Sequence, residues 1–233
     1  ARAIRDTAIC AVLLMDAQID HTTGLYMLRE HRQPLEIWCT EPVREDLEHG
    51  NPLFKLLQHY CGVAWKRIPL DGTTFEISAV PGLRFTALPL LSNAPPYSPH
   101  RDRPVPGDNI GLIVESIADG KRLFYAPGLG EIEAHASAAM QRSDCVMVDG
   151  TCWHDDEMIA LGLSKKRARD MGHRALDGAG GMLAALAKLP AATRKILIHI
   201  NNTNPILDED GSEFAQVRAA SVELAWDGMD FHP

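Results

Sequence analysis

The chain has 233 residues, of which 45% are hydrophobic, so it is long enough to fold as one domain with a sizeable core. Its formal net charge of -8 argues against a general phosphate-binding surface, so we do not expect nucleic acid as a partner. No stretch is long and apolar enough to span a bilayer, so we do not expect a membrane partner. Five cysteines without a CxxC pair predict reduced thiols and a cytoplasmic location, with Cys10, Cys39 and Cys145 buried in apolar runs.

The first predicted element is a buried strand over residues 9–15, which ends abruptly in a polar turn. That turn carries Asp16, Gln18, Asp20 and His21, and a helix is expected from Leu25 onwards. Residues 1–6 lack an initiator methionine and lead almost at once into this strand, so we expect residues to be missing ahead of them.

A strand over residues 36–40 is followed by two helices, which open at Glu41-Pro42 and at Asn51-Pro52. Three further strands are predicted as a meander, over residues 65–70, 74–79 and 83–91. Residues 92–108 form a long, proline-rich segment that we expect to be structureless. Loops of this length are usually functional lids or disordered segments.

The rest of the chain alternates between strands and helices. The predicted strands cover residues 109–115, 121–126, 145–149, 195–200 and 222–226. The predicted helices cover residues 131–142, a stretch capped by Asp155 that ends at residue 161, and residues 182–189. This order predicts an α+β fold, with helices covering either two sheets or one sheet of mixed direction.

Polar residues recur at the ends of the apolar strands. Asp20 and His21 follow the first strand, Asp149 ends the 145–149 strand, and His199 lies within the 195–200 strand. Singly, each is ambiguous, because a strand histidine is commonly a hydrogen-bonded core residue and a strand-end Asp a helix cap. Together they mark the sheet edge at which α/β proteins place their sites.

The first turn resembles the HxHxDH signature of the metallo-β-lactamase superfamily, whose fold is an αββα sandwich with metals at the strand ends. On that alignment Asp16 and Gln18 replace the first two histidines, whereas Asp20 and His21 are retained. The resemblance further implies that Asp149 matches the bridging aspartate, that His199 matches the last histidine, and that Asn93 lies where another histidine is expected.

Several longer motifs resemble the pyrroloquinoline quinone (PQQ) biosynthesis protein B (PqqB) family along the whole chain. They are Asp-Ala-Gln-Ile-Asp-His-Thr-Thr-Gly-Leu, Ser-Asn-Ala-Pro-Pro-Tyr-Ser-Pro, Tyr-Ala-Pro-Gly-Leu-Gly, Asp-Met-Gly-His and His-Ile-Asn-Asn-Thr-Asn-Pro-Ile-Leu-Asp. The family usually begins with further strands and a CxCxxC structural zinc site. Because this chain has neither, residues 1–233 are expected to form a single metallo-β-lactamase-like domain that is incomplete at its N-terminus.

The resemblance implies a modified metal site. Gln18 is a poor zinc ligand, so one of two metal positions should be weakened or lost, leaving Asp20, His21 and His199. Two imidazoles and one carboxylate are the ligands of non-haem Fe(II) oxygenases, although Zn²⁺ or another divalent metal would accept the same set. The implied activity is hydroxylation of a tyrosine-derived amino acid precursor of PQQ. The alternatives are a metal-dependent hydrolase of the same fold and a non-catalytic carrier of PQQ or its precursor.

The remaining candidates surround this site. Asp149 either bridges to a second metal or orients His21 or His199, and His173 is a general base, a substrate ligand or an ordinary loop histidine. Arg101 and Arg103 are candidates to pair with a substrate carboxylate, and Asn93 and Tyr97 are further substrate-binding candidates. Other proteins of the PQQ pathway and a second copy of the chain are the expected protein partners.

Overall fold

The computed structural model describes residues 7–230, so the expectation about residues 1–6 lies outside the described part. The chain divides into two compact units. The first comprises residues Ala1–Pro89 and Asn93–Ile110, and the second Leu90–Ser92 and Gly111–Pro233. Each unit is built from strands alternating with short helices.

Parallel pairing organises the first unit. Its strands are β1 Ala11–Leu13, β2 Leu35–Cys39, β3 Val63–Arg67 and β4 Leu83–Pro89. Its helices are α1 Ile19–Thr22, α2 Glu41–Glu45 and α3 Leu53–Leu57, with a 3₁₀ segment over Thr23–Leu28 and a π-helical turn over Asp46–Gly50. Strands β1, β2 and β3 are neighbours in that order, and both pairs are parallel.

The predicted meander is wrong. Strand β3 pairs in parallel with β2, because the helices between them provide the crossover that parallel pairing requires. Within the described residues, the 74–79 stretch contributes only an isolated antiparallel bridge from Phe75 to Phe85. Phe75 also stacks on Trp38 with ring centroids 5.0 Å apart. Aromatic packing therefore accounts for an apolar residue at a position that is not part of a named strand.

The core of the first unit explains why its helices form where they do. Thr40 caps α2 by accepting a hydrogen bond from the Val43 backbone N–H, and Pro42 occupies the first turn. Val43, Leu47 and Leu57 are fully buried against the sheet residues Ile37 and Cys39. The predicted helix starts at Glu41-Pro42 and Asn51-Pro52 are therefore confirmed by the packing.

Residues 93–108 form a chain of consecutive turns, contrary to the expectation of a structureless loop. Backbone hydrogen bonds close turns at Ser98, Arg101 and Asp108. The segment is anchored by the Thr40 hydroxyl, which donates to the Gly107 carbonyl at 2.7 Å, and by His100, which lies 2.8 Å from the Glu45 carboxylate. Its prolines stiffen a segment that these side chains fix in place.

The second unit is built around a sheet of mixed direction. Its strands are β5 Ile110–Ser116, which starts at the last residue of the first unit, β6 Arg122–Ala126, β7 Cys145–Asp149, β8 Arg194–Ile198 and β9 Glu223–Leu224. Its helices are α4 Ala134–Gln141, α5 Glu157–Ala160, α6 Met182–Leu186 and α7 Ser212–Ala219, with 3₁₀ turns at Arg169–Met171 and Pro205–Leu207. Strand β6 is antiparallel to β5, and the neighbours β6 to β9 are parallel.

Three local predictions need correction. His199 follows β8 and does not lie within it, because the strand ends at Ile198. Asp155 does not cap α5, since its carboxylate forms ion pairs with Arg167 and Arg169. Cys10 is exposed, because it precedes the first residue of β1.

The other thiols behave as the composition suggests. Cys39, Cys145 and Cys152 are buried and form no disulfide bond. Burial raises the pKa of their thiols to about 12, 11 and 12, respectively. Over the part of the chain that the structure describes, no helix combines the length and apolarity needed to cross a bilayer.

Candidate functional site

The carboxyl ends of β7 and β8 carry the main polar cluster of the second unit. Because these strands are parallel neighbours, their last residues reach the same sheet edge. Asp149 is the last residue of β7, and His199 follows β8 directly. The Gly150 N–H donates to the Ile198 carbonyl at 2.7 Å, which holds the two strand exits together.

Asp149 is fully buried and accepts four hydrogen bonds. Its Oδ1 accepts from the backbone N–H and the hydroxyl of Thr151, at 2.9 and 2.6 Å. Its Oδ2 accepts from the Leu129 N–H at 3.1 Å and from Nδ1 of His173 at 2.7 Å. Four donors offset the cost of burying this carboxylate and fix the direction in which it orients the His173 ring.

Thr151 links the whole cluster, and the sequence reasoning did not identify it. Its hydroxyl donates to Asp149 and lies 2.8 Å from Nδ1 of His199 and 3.1 Å from Nδ1 of His173. Because the hydroxyl proton is committed to the carboxylate, the oxygen is the acceptor for the N–H of His199. The available signal was its position two residues beyond a strand that ends in Asp, in Asp149-Gly150-Thr151.

His199 has a left-handed backbone, with a φ of 56°. Residues other than glycine adopt this region uncommonly, although histidine does so more often than most, and such a conformation persists where surrounding contacts enforce it, often at functional sites. The contact that holds this turn is the Thr151 carbonyl, which accepts a hydrogen bond from the Asn201 N–H at 3.1 Å. The backbone therefore turns sharply at the residue whose ring the cluster orients.

His173 reaches the same cluster from a loop. Gly172, at a φ of 92°, ends the 3₁₀ turn Arg169–Met171, and its backbone lies 2.9 Å from where a Cβ on Gly130 would be. Only glycine at position 130 permits this close approach. The rings of His173 and His199 stack with their centroids 5.1 Å apart and their planes at 22°.

This cluster has the donor set of a divalent-metal site. Asp149, His173 and His199 each offer one ligand atom within 4.8 Å of the others. Imidazole nitrogens with carboxylate support suit zinc and non-haem iron, so the residue types fit a divalent metal. Since Asp149 already accepts four hydrogen bonds, one of them from Nδ1 of His173, its geometry is that of a group that orients this imidazole directly.

The polar turn of the first unit repeats this arrangement. Oδ1 of buried Asp16 accepts from Nδ1 of His21 at 2.7 Å and from the Gln18 N–H at 2.9 Å. The hydrogen bond that His21 donates to Asp16 is the main reason why the pKa of His21 is raised. Asp20 is exposed, and its Oδ2 lies 3.6 Å from Nε2 of His21. A carboxylate thus orients the His21 ring on one side, and a second carboxylate lies on the other.

The substrate-binding candidates all lie in the first unit. The Tyr97 hydroxyl donates to the Ala17 carbonyl, and burial raises the pKa of Tyr97 to about 12. The Arg101 guanidinium donates to the Ala94 carbonyl of its own loop. Arg103 and Asn93 are exposed. Tyr97 therefore ties the 93–108 segment to the turn that carries Asp20 and His21.

The structure thus brings the predicted residues together in two groups. Asp20 and His21 are neighbours in the first unit, and Asp149, His173 and His199 cluster in the second. The predicted metal set of Asp20, His21 and His199 draws on both units and stays a prediction.

Comparison with known proteins gives a consistent result. Residues 1–200 match the model of the β-lactamase superfamily domain. The chain is 66% identical over 229 residues to coenzyme PQQ synthesis protein B of Azoarcus sp. (strain BH72), covering 98% of this chain and 75% of that protein. It is 55% identical to the protein of that name from Methylococcus capsulatus, covering 99% and 75%.

A solved structure supports the same assignment. The crystal structure of Zn(2+)-bound PqqB from Methylobacterium extorquens matches with a TM-score of 0.85 and 32% identity, covering 98% of this chain and 75% of that one. The predicted α+β, metallo-β-lactamase-like fold and the resemblance to this family are confirmed. The chain spans three quarters of the length of these relatives.

Proposed function

We infer the function of this chain from its family: it belongs to the coenzyme PQQ synthesis protein B family, within the β-lactamase superfamily, and takes part in PQQ biosynthesis. Its activity on this inference is that of a divalent-metal-dependent oxygenase that hydroxylates a tyrosine-derived amino acid precursor of PQQ. The observation that carries the inference is the carboxylate-oriented histidine, which occurs at His21 and again at His173.

The proposed ligands are Asp20, His21 and His199. Support comes from the hydrogen bonds on Nδ1 of both rings, to Asp16 for His21 and to Thr151 for His199. Such bonds fix the tautomer and make Nε2 the ligand atom that we assign to each ring. Two imidazoles and one carboxylate favour iron, and a ferrous ion held by them would supply the one-electron chemistry that activates dioxygen.

His173 is the proposed general base. Asp149 accepts from its Nδ1 at 2.7 Å, which stabilises the imidazolium form that exists after proton uptake. In this scheme His173 takes a proton from the substrate amine or phenol, and Asp149 keeps the ring in one orientation. The buried position of Asp149 strengthens that interaction by excluding water from it.

Substrate binding is assigned to the 93–108 segment. An amino acid precursor carries carboxylates, which guanidinium groups bind in a bidentate manner, so Arg101 and Arg103 are the proposed partners. Asn93 and Tyr97 are assigned to orienting the substrate. Support comes from the anchoring of this segment, through Tyr97 and the bridge between Asp16 and Asn109, to the turn that carries Asp20 and His21.

The test combines metal analysis with oxygen consumption. Protein purified under anaerobic conditions should contain about one iron per chain and should consume oxygen when the tyrosine-derived substrate is added together with a two-electron reductant, because one oxygen atom enters the substrate and the other leaves as water. An Asp20→Asn variant should lose at least about 10-fold in iron affinity and activity. The control is His154→Ala, because His154 is exposed and its ring contacts Asp177 and the edge of Trp153 but none of the proposed ligands. The control should retain both.

A hydrolase of the same fold gives the opposite pattern. Zinc-dependent release of product from a model ester, without oxygen consumption, would replace the oxygenase assignment. Ligand binding that survives both chelation and His199→Ala would instead favour a carrier. Unchanged turnover in Asp20→Asn would refute the ligand assignment for any of these activities.

A further inference from the structure

The turn that follows His199 carries a buried side-chain amide, that of Asn204, which is 2% exposed. Its Oδ1 accepts a hydrogen bond from the Ile206 backbone N–H at 3.1 Å. Its Nδ2 donates to the Gly150 carbonyl at 2.9 Å and to the Thr151 carbonyl at 3.3 Å. Because a primary amide has one acceptor oxygen and two N–H donors, this orientation uses every polar group of the side chain.

The two carbonyls that Asn204 binds lie directly beyond the end of β7. They belong to the two peptide groups on either side of the Thr151 Cα. The Thr151 carbonyl also accepts from the Asn201 N–H at 3.1 Å. Both peptide groups around Thr151 are therefore tied to the turn after His199, and this fixes the direction in which the Thr151 side chain leaves the backbone.

The direction of the Thr151 side chain determines which nitrogen of His199 is protonated. The Thr151 hydroxyl donates to Asp149 at 2.6 Å and lies 2.8 Å from Nδ1 of His199. Hydrogen bonds weaken steeply as their geometry departs from linear, so a small rotation of Thr151 would cost His199 its acceptor. The ring proton could then move to Nε2, and that nitrogen would lose the lone pair that a metal requires.

The turn that carries Asn204 is held by a second contact of its own. The hydroxyl of Thr203 donates to one oxygen of the buried Glu157 carboxylate at 2.6 Å. The other oxygen of Glu157 accepts from the Trp153 backbone N–H at 2.7 Å. Loss of the Asn204 amide should therefore release the Thr151 peptide groups without releasing the whole turn.

We propose that Asn204 is a positioning residue of the metal site: through Thr151 it keeps the His199 proton on Nδ1 and so keeps Nε2 available to the metal. The proposal rests on the assignment of His199 as a ligand in the proposed function. It holds for a hydrolase as well as for an oxygenase, because it concerns the ligand and not the reaction.

Asn204→Asp gives a nearly isosteric test. It keeps the acceptor for the Ile206 N–H but places a carboxylate oxygen against two carbonyl oxygens, so the contact becomes repulsive. In the full chain freed of metal by chelation, heteronuclear NMR of the imidazole nitrogens should find the His199 proton on Nδ1 in wild type and largely on Nε2 in the variant. His199→Asn identifies the His199 signals. Calorimetric titration should show that Zn²⁺ affinity falls about 10-fold in Asn204→Asp.

The matched control is Asn201→Asp, which makes the same chemical change on the same turn. The Asn201 side-chain amide contacts the Met158 sulfur at 3.4 Å, whereas its hydrogen bond to Thr151 comes from the backbone and survives the substitution. Both variants add one negative charge, which by itself favours a bound cation. A loss of Zn²⁺ affinity confined to Asn204→Asp would therefore come from the orientation of the ligand.

Asn204→Ala removes the amide without adding charge, and it provides the second variant if Asn204→Asp does not fold, as checked by circular dichroism. Folded Asn204 variants that keep the His199 proton on Nδ1 and the wild-type Zn²⁺ affinity would overturn the proposal. So would a loss of affinity with the proton still on Nδ1, or an equal loss in Asn201→Asp. Wild-type Zn²⁺ affinity in His199→Asn would instead refute the ligand assignment on which the proposal rests, so the two failures are distinguishable.

Discussion

Removal of the Thr151 hydroxyl is the most informative single change, because that group joins the carboxylate to a histidine. In Thr151→Val the side chain keeps its shape, but Asp149 loses the donor at 2.6 Å and His199 loses its acceptor at 2.8 Å. A hydrogen bond to a charged group contributes about 1.5–3 kcal/mol, and an orphaned buried donor costs about 1–3 kcal/mol. Since the two costs overlap, we expect a loss of about 2–4 kcal/mol in the free energy of unfolding.

The same change should weaken metal binding. If Thr151 orients His199 as a ligand, loss of the hydroxyl should lower metal affinity about 10–100-fold. Urea denaturation of the metal-free protein measures the first effect, and calorimetric titration with Zn²⁺ measures the second. Thr151→Ser retains the hydroxyl and should recover most of both.

A second threonine serves as the control for burial. Thr193 is 6% exposed, as is Thr151, but its hydroxyl donates to the neutral Ser143 carbonyl at 3.2 Å. Thr193→Val should therefore cost about 1 kcal/mol and leave metal affinity unchanged. If Thr151→Val matched Thr193→Val in both measurements, the role assigned to Thr151 would be wrong.

Three further predictions concern other parts of the chain. His199→Asn should fold, because asparagine tolerates the left-handed backbone, but it should bind Zn²⁺ at least about 10-fold more weakly in the same titration. Burial raises the pKa of Asp46 from 3.8 to about 6, so its charge destabilises the folded state increasingly as the pH rises through that range. The stability of Asp46→Asn relative to wild type should therefore increase by about 3 kcal/mol between pH 3.5 and about pH 7 in urea titrations, and a pH-independent difference would contradict this. Gly130→Ala should lower the melting temperature by several degrees, because its Cβ would lie 2.9 Å from the Gly172 backbone, and an unchanged value would show that this loop yields freely.

Much of the strand pattern could be predicted from hydrophobic runs. The β7 strand, Cys145–Asp149, has the predicted bounds, because a continuous apolar run ends there in a carboxylate followed by glycine. The same logic located Asp149 at a strand end, but it placed His199 inside a strand that ends one residue earlier, at Ile198. Pairing direction was beyond reach, because β3 pairs with a strand that lies across two helices, and local turn signals carry no information about that partner.

The site itself was predictable only in part. Histidine, aspartate and glutamate are candidate metal ligands by residue type alone, whereas a threonine in a sequence gives no such indication. Thr151 acquires its importance from a partner 48 residues away, His199. The left-handed backbone of His199 was equally invisible, since it depends on how the chain leaves β8.

The buried thiols give each unit its own chemical reporter of opening. Cys39 belongs to the first unit, and Cys145 and Cys152 belong to the second; the raised pKa values leave almost none of these thiols ionised at neutral pH. An alkylating reagent can modify them only when the surrounding structure opens, whereas exposed Cys10 reacts immediately. Pulsed alkylation followed by peptide mass spectrometry would therefore show, without any introduced label, whether the two units unfold together or in sequence.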